Sequence, residues 1–90
     1  MRLVDLHPRW YGWYQEGGRI GVTFDCPVHR EGHRCFVPFA NPIEGRPEVR
    51  RHLWQRTGDT FETLSVTPSV DYTRYDATCW HGFIRNGEVT

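Results

Sequence analysis

The 90-residue chain contains no lysine, and its eleven basic residues are all arginine. Complete avoidance of lysine is typical of proteins encoded by GC-rich genomes. Eleven acidic residues balance the arginines, so the formal net charge is zero. Domains that bind nucleic acid by neutralising phosphates usually carry a positive excess, and this chain has none overall. We therefore do not expect a nucleic acid partner.

Long apolar runs are also missing, and cysteine is scarce. No stretch of eighteen apolar residues could span a bilayer, and no charged-then-apolar leader is visible, so we expect a cytoplasmic protein with no membrane partner. There are three cysteines. An odd count in a reducing compartment favours metal binding over disulfides. A chain this short has room for one domain, 1–90, whose small core would benefit from a metal.

The apolar pattern predicts a mostly β fold, a small antiparallel sheet built from hairpins. Apolar residues alternate with other residues over 20–25 and again over 34–39, as in half-buried strands. These two strands would form a hairpin whose loop contains His29 and His33. A third strand is predicted over 61–66, with Leu64 and Val66 facing the core, followed by a loop over 68–76. Asn86-Gly87 is a strong turn signal before a short terminal strand. The exposed edge of that strand would allow a homodimer.

Two clusters of soft ligands dominate the sequence: Cys26-Pro27-Val28-His29 and Cys79-Trp80-His81. Thiolates and imidazoles are the ligands of tetrahedral zinc. Cys26 and His29 have a tight half-site spacing, and residues two apart in a strand point to one face, which would present Cys79 and His81 together. We predict that these four residues bind one structural zinc ion. Cys35 and His33 are alternative ligands.

No motif identifies a reaction, which favours a binding protein over an enzyme. A zinc ion with three protein ligands and a water molecule would instead permit hydrolysis. The alternative function is therefore a small zinc-dependent hydrolase or nucleotide-processing enzyme. Its pocket would be lined by the hydroxyl-rich segment 57–69.

Aromatic residues are abundant near the start of the chain. A core this small cannot bury all of Trp10, Tyr11, Trp13 and Tyr14. Aromatic anchors dominate interface energetics, so these four residues are candidates for a partner-binding surface. The alternative interpretation is that some of them cover one face of the sheet.

Several segments resemble a family of small, uncharacterised bacteriophage and prophage proteins. The resemblance covers nearly the whole chain and includes 24–27, 37–42, 54–65, 68–69 and the closing Cys-Trp-His-Gly-Phe-Ile-Arg-Asn-Gly-Glu-Val over 79–89. Members are often labelled ammonia monooxygenase, which does not fit a chain without an apolar span. Many relatives have Cys-Pro-Cys where this chain has Cys26-Pro27-Val28-His29. The resemblance implies a phage-encoded protein in an infected bacterial cell that binds a host protein, as a host-takeover or counter-defence inhibitor.

Overall fold

The computed structural model describes residues 1–12, 16–49 and 52–90, with Glu31 described by its backbone alone. These residues form two antiparallel sheets, which confirms the predicted mostly β fold. The strands are β1 (Arg9–Tyr11), β2 (Gly21–Cys26), β3 (Arg30–Pro38), β4 (Gln55–Thr57), β5 (Ser65–Asp71), β6 (His81–Arg85) and β7 (Glu88–Val89). A short 3-10 helix spans Leu3–Leu6. Within the described ranges, no helix has the length and apolar character needed to cross a membrane.

The first sheet has the strand order β1-β2-β3. Val22, Phe24 and Cys26 are fully buried along one face of β2, as the alternation predicts. The loop between these two strands is much shorter than predicted, because the hairpin turns within three residues and β3 begins at Arg30, where φ is 57°. His33 consequently lies on a strand and not in a loop.

The second sheet has the order β4-β5-β6-β7. The strand predicted over 61–66 begins only at Ser65, because Thr60 and Thr63 are hydrogen-bonded to each other in a turn. The strand then continues to Asp71, through part of the predicted loop. Leu64 and Val66 are buried, as expected. The Asn86-Gly87 hairpin is confirmed. Both turn residues have positive φ, 47° and 76°, as a type I′ turn requires.

The two sheets share one apolar core. Fully buried side chains from the first sheet, such as Phe24 and Val37, belong to the same cluster as Leu64 and Ile84 from the second. The chain start also joins the second sheet, where the amide of Val89 donates to the carbonyl of Met1 at 2.7 Å. The outer edge of β7 is therefore hydrogen-bonded within the chain.

Candidate metal centre and candidate active site

Four soft ligands meet between the two sheets. The ligand atoms all lie within 4.8 Å of one another, and we call this group the Cys/His cluster: Cys26, His33, Cys35 and Cys79. Cys26 ends β2, His33 and Cys35 lie on β3, and Cys79 lies just before β6. All three cysteines are buried free thiols. The cluster could hold a metal ion that links the hairpin of the first sheet to the second sheet.

The spacing of the donor atoms suits a tetrahedral ion. The Cys26 and Cys79 Sγ atoms are 3.4 Å apart, and Cys79 Sγ lies 3.7 Å from His33 Nδ1. Zinc–sulfur bonds of about 2.3 Å in a tetrahedron place neighbouring sulfurs about 3.8 Å apart. Three sulfurs and one imidazole nitrogen form one of the ligand sets usual for structural zinc. The residues present thus fit a closed, four-ligand site.

The electrostatics of the three thiols differ. Burial opposes ionisation of Cys26, but the backbone amides of His29 and Val28, together with the Cys79 thiol, outweigh it and lower the pKa of Cys26 to about 6. Burial raises the pKa of Cys35 strongly, and the neighbouring Cys26 and Cys79 sulfurs raise it further. Burial and the Cys26 sulfur also raise the pKa of Cys79. One thiolate forms readily, whereas three together need a cation to compensate their charge.

Two residues of the ligand set predicted from the sequence lie outside this cluster. His29 is adjacent: its Nδ1 is 3.6 Å from Cys26 Sγ, while its Nε2 is 3.0 Å from the hydroxyl of Thr78. His81 lies elsewhere, with its ring on the exposed face of the second sheet. The prediction that His81 lies beside Cys79 requires both residues to be in one strand, but β6 begins only at His81, so the strand alternation does not extend back to Cys79. The two alternative ligands predicted from the sequence, Cys35 and His33, belong to the Cys/His cluster.

His81 instead contacts a serine. Its Nε2 atom lies 3.3 Å from Ser69 Oγ. Ser69 lies in an irregular part of β5, where the register against β6 shifts between Val66 and Val70. Bulges of this kind re-aim side chains and often occur next to active sites. We call Ser69 and His81 the Ser–His pair.

A third polar residue flanks this pair. Asp71 is two residues after Ser69 on β5 and directly opposite His81 in the sheet, so its side chain shares their face. The hydroxyl and amide of Thr73 both donate to Asp71 Oδ1. The Thr73 hydroxyl is the largest cause of the lowered pKa of Asp71, and the positive potential of His81 and Arg74 contributes. Asp71 is therefore an ionised carboxylate near His81 at neutral pH.

The Ser–His pair opens into a cavity of about 570 Å³. Its walls are mainly aromatic and combine both sheets, with lining residues that include Phe36, Pro38, Trp54, Ser69, Tyr72 and His81. The indole Nε1 of Trp54 donates to the carbonyl oxygen of Ser69 at 3.3 Å and holds the backbone of the serine. A hydroxyl and an imidazole in hydrogen-bond contact within a concave pocket are the minimal parts of a serine nucleophile and its base.

The predicted partner-binding aromatics have structural contacts where they are described. Trp10 is partly buried and stacks on Phe61 with ring centroids 4.3 Å apart. Tyr11 meets the ring of Phe36 edge-on at 4.4 Å. Trp13 and Tyr14 lie outside the described residues.

The fold and its two sites define a class: a small two-sheet β protein with a Cys/His cluster that could hold a metal and a Ser–His pair in an aromatic pocket. Over residues 5–90 the chain matches the family described as bacterial ubiquitination-like system serine protease (BubE). The chain belongs to this BubE family. Searches of curated proteins and of solved structures found no match.

Few features of the sequence indicate the Ser–His pair. Ser69 is one of many hydroxyls in a segment where hydroxyls at period two are also typical of an exposed strand face. His81 has a metal-ligand spacing from Cys79, which points to the other site. The pair becomes recognisable once β5 is paired with β6, because this pairing sets Asp71 opposite His81.

Proposed function

We propose that this protein is a serine protease of a bacterial ubiquitination-like system, with Ser69 as the nucleophile and His81 as the general base. The observation that carries the proposal is the 3.3 Å contact between Ser69 Oγ and His81 Nε2 in an open pocket. Nucleophile and base contacts are often this long in structures without substrate. The family description as a serine protease supports the assignment.

The reaction follows from the positions of these two side chains. With its proton on Nδ1, His81 can accept the Ser69 proton at Nε2 while Ser69 Oγ bonds to the carbonyl carbon of the scissile bond. The tetrahedral intermediate collapses as His81 returns that proton to the leaving amine, and the C–N bond breaks. Water then hydrolyses the acyl-Ser69 ester by the same proton transfers in reverse, which releases the acid and restores the enzyme.

Asp71 has an electrostatic role in this proposal. Its carboxylate is held by Thr73 and shares the sheet face of His81, so its negative charge favours the imidazolium that forms in each half-reaction. Asp71 differs from the aspartate of a Ser-His-Asp triad, which bonds directly to the histidine. We assign it charge stabilisation and not orientation of the ring.

We further propose that the Cys/His cluster binds zinc. The three-sulfur, one-nitrogen donor set and the spacing of the sulfurs support this choice of metal. When bound with four protein ligands, zinc supplies folding free energy and no open coordination position. Cys79 would then anchor the chain two residues before His81, so the metal would stabilise the strand that presents the base.

The partner is proposed to be a protein, because a protease requires one. The phage origin, the host-cell location and the inhibitor role that the sequence resemblance suggests stay predictions. A protease that acts on a bacterial protein is compatible with the predicted partner class, but replaces inhibition by binding with cleavage.

A fluorophosphonate probe tests the nucleophile without knowledge of the substrate. The probe reacts with activated serines, and Ser69 Oγ would displace fluoride from its phosphorus. Metal-loaded wild-type protein should gain one adduct on Ser69, Ser69→Ala should gain none, and Ser65→Ala should react as the wild type. Ser65 is a matched control because it lies on β5, where its hydroxyl accepts from the Asn86 amide. An unlabelled wild type, or an adduct that persists in Ser69→Ala, would refute the proposal.

A further inference from the structure

Tyr72 makes an unusual two-point hydrogen bond with the backbone of the opposite sheet. Its hydroxyl accepts from the amide of Phe36 at 2.5 Å and donates to the carbonyl of the same residue at 2.7 Å. Phe36 lies on β3, at the edge of the first sheet, whereas Tyr72 directly follows β5 of the second sheet. One phenol therefore satisfies both polar groups of an edge residue, as a neighbouring strand would.

The position of Tyr72 relates it to both sites. Its ring lies edge-on to His33 of the Cys/His cluster, with centroids 6.3 Å apart, and it also lines the pocket of the Ser–His pair. Its amide donates to the carbonyl of Trp80 at 2.9 Å, which closes the loop between β5 and β6. Ser69 precedes this loop and His81 follows it, so the loop determines how the two side chains meet.

We infer that Tyr72 is a positioning residue for the Ser–His pair. Its hydrogen bonds to Phe36 and Trp80 fix the loop that separates Ser69 from His81. The bonds to Phe36 also hold β3, which forms part of the pocket wall, against this loop. The inference rests on the proposed serine-protease function. Tyr72 is assigned no contact with reacting atoms. Its effect is geometric, and displacement of a nucleophile and its base by about 1 Å can cost about a hundredfold in rate.

Tyr72→Phe is the sharpest variant, because it keeps the ring against His33 and removes only the hydroxyl. The expected result is a fall of about tenfold or more in the second-order rate constant of fluorophosphonate labelling, normalised to the folded fraction, with unchanged zinc content. Tyr75→Phe is the matched control. It removes the hydroxyl of the neighbouring, 81% exposed ring, which packs 5.4 Å from Tyr72 and whose hydroxyl has no hydrogen-bond partner among the described residues. Its effect should be smaller.

A second readout does not depend on catalysis. The NMR shifts of the His81 ring and the hydrogen exchange of the Phe36 amide should both change in Tyr72→Phe, whereas a purely structural role would lower the melting temperature and leave the His81 shifts of the folded protein unmoved. Equal labelling rates in Tyr72→Phe and wild type, or unmoved His81 shifts, would overturn the inference. A wild type that is not labelled at all would overturn the proposed function, and the His81 shifts would still decide whether Tyr72 positions that ring.

Discussion

The Cys/His cluster and the Ser–His pair differ in residue type and in burial. The cluster gathers all three cysteines of the chain and one histidine, and the cysteines are buried free thiols. The pair uses an ordinary serine and an exposed histidine on a sheet surface. His81 is two residues from Cys79, so the same tripeptide supplies one residue to each site. Scarce residue types reveal a metal centre in a sequence, whereas common ones reveal an active site only after the strands are paired.

The largest expected effect comes from Cys79→Ser, which removes one cluster ligand. Zinc binding in small modules contributes on the order of 10 kcal/mol to folding, so this variant should lose the metal and most of its cooperative unfolding transition. Chelation of the wild type should have the same effect. Metal analysis and thermal unfolding measure both. Retention of one zinc and of the wild-type melting temperature would show that the cluster is not the metal site.

Ser69→Ala should have the opposite effect to Cys79→Ser: it should abolish catalysis and leave metal binding and stability unchanged. Loss of the nucleophile should reduce the rate of hydrolysis of a protein or peptide substrate by at least about a thousandfold, because the pair acts as a unit. Zinc content and melting temperature should match the wild type, because Ser69 lies outside the cluster and only half-buried. Turnover in this variant above a few per cent would move the reaction to another residue.

The two histidines near the cluster should differ in effect. His33→Ala removes a proposed zinc ligand, whereas His29→Ala removes a neighbour that contacts Cys26 and Thr78. Loss of an outer-shell partner typically lowers metal affinity by about 10–100-fold. We therefore expect His33→Ala to lower zinc affinity at least about ten times more than His29→Ala does. Competition with a chromophoric zinc chelator measures both affinities. The reverse ranking would restore His29 as the fourth ligand.

Asp71→Asn tests electrostatic support for His81. We expect a fall of about tenfold in the labelling rate, less than in a triad in which the aspartate bonds directly to the histidine. The pKa of Asp71 is lowered from an ordinary value of 3.8, so its charge persists above about pH 4 and is lost only as pH falls through the lowered pKa. The ratio of wild-type to variant rates should therefore be constant between pH 5 and 8. A ratio that falls with acidification across that window would contradict this assignment.

Trp54→Phe should have the smallest effect. The variant removes the indole N–H that holds the Ser69 carbonyl and leaves an aromatic ring in the pocket wall. A neutral hydrogen bond contributes about 1 kcal/mol, which corresponds to a change of about fivefold in rate. Labelling kinetics of the folded protein would measure it. No change in rate would mean that the bulge holds Ser69 without the indole.

Much of the fold was predictable from local pattern. Alternation predicted β2 and the buried Leu64 and Val66, and Asn86-Gly87 predicted the last hairpin, because these signals depend on neighbours in sequence. The extension of β5 to Asp71 was missed, since Pro68 and surrounding polar residues resemble a loop. That strand brings Ser69 alongside β6.

The metal cluster was half predictable for the same reason. Cys26 and Cys79 were expected ligands because of their residue type, but the choice among His29, His33 and Cys35 depends on how tightly the β2–β3 hairpin turns. The early start of β3 brings two residues of that strand to the site. Spacing alone favoured the nearest histidine in sequence, whereas the hairpin register selects residues across the strand pair.

The decisive measurement for the proposed catalytic pair is native mass spectrometry of the fluorophosphonate-treated protein, followed by peptide mapping. We expect one zinc ion and one adduct in the same molecule, with the adduct on Ser69 and the zinc retained. An adduct on another residue, or no adduct on a protein that holds its zinc, would contradict the assignment of Ser69 and His81 as the catalytic pair.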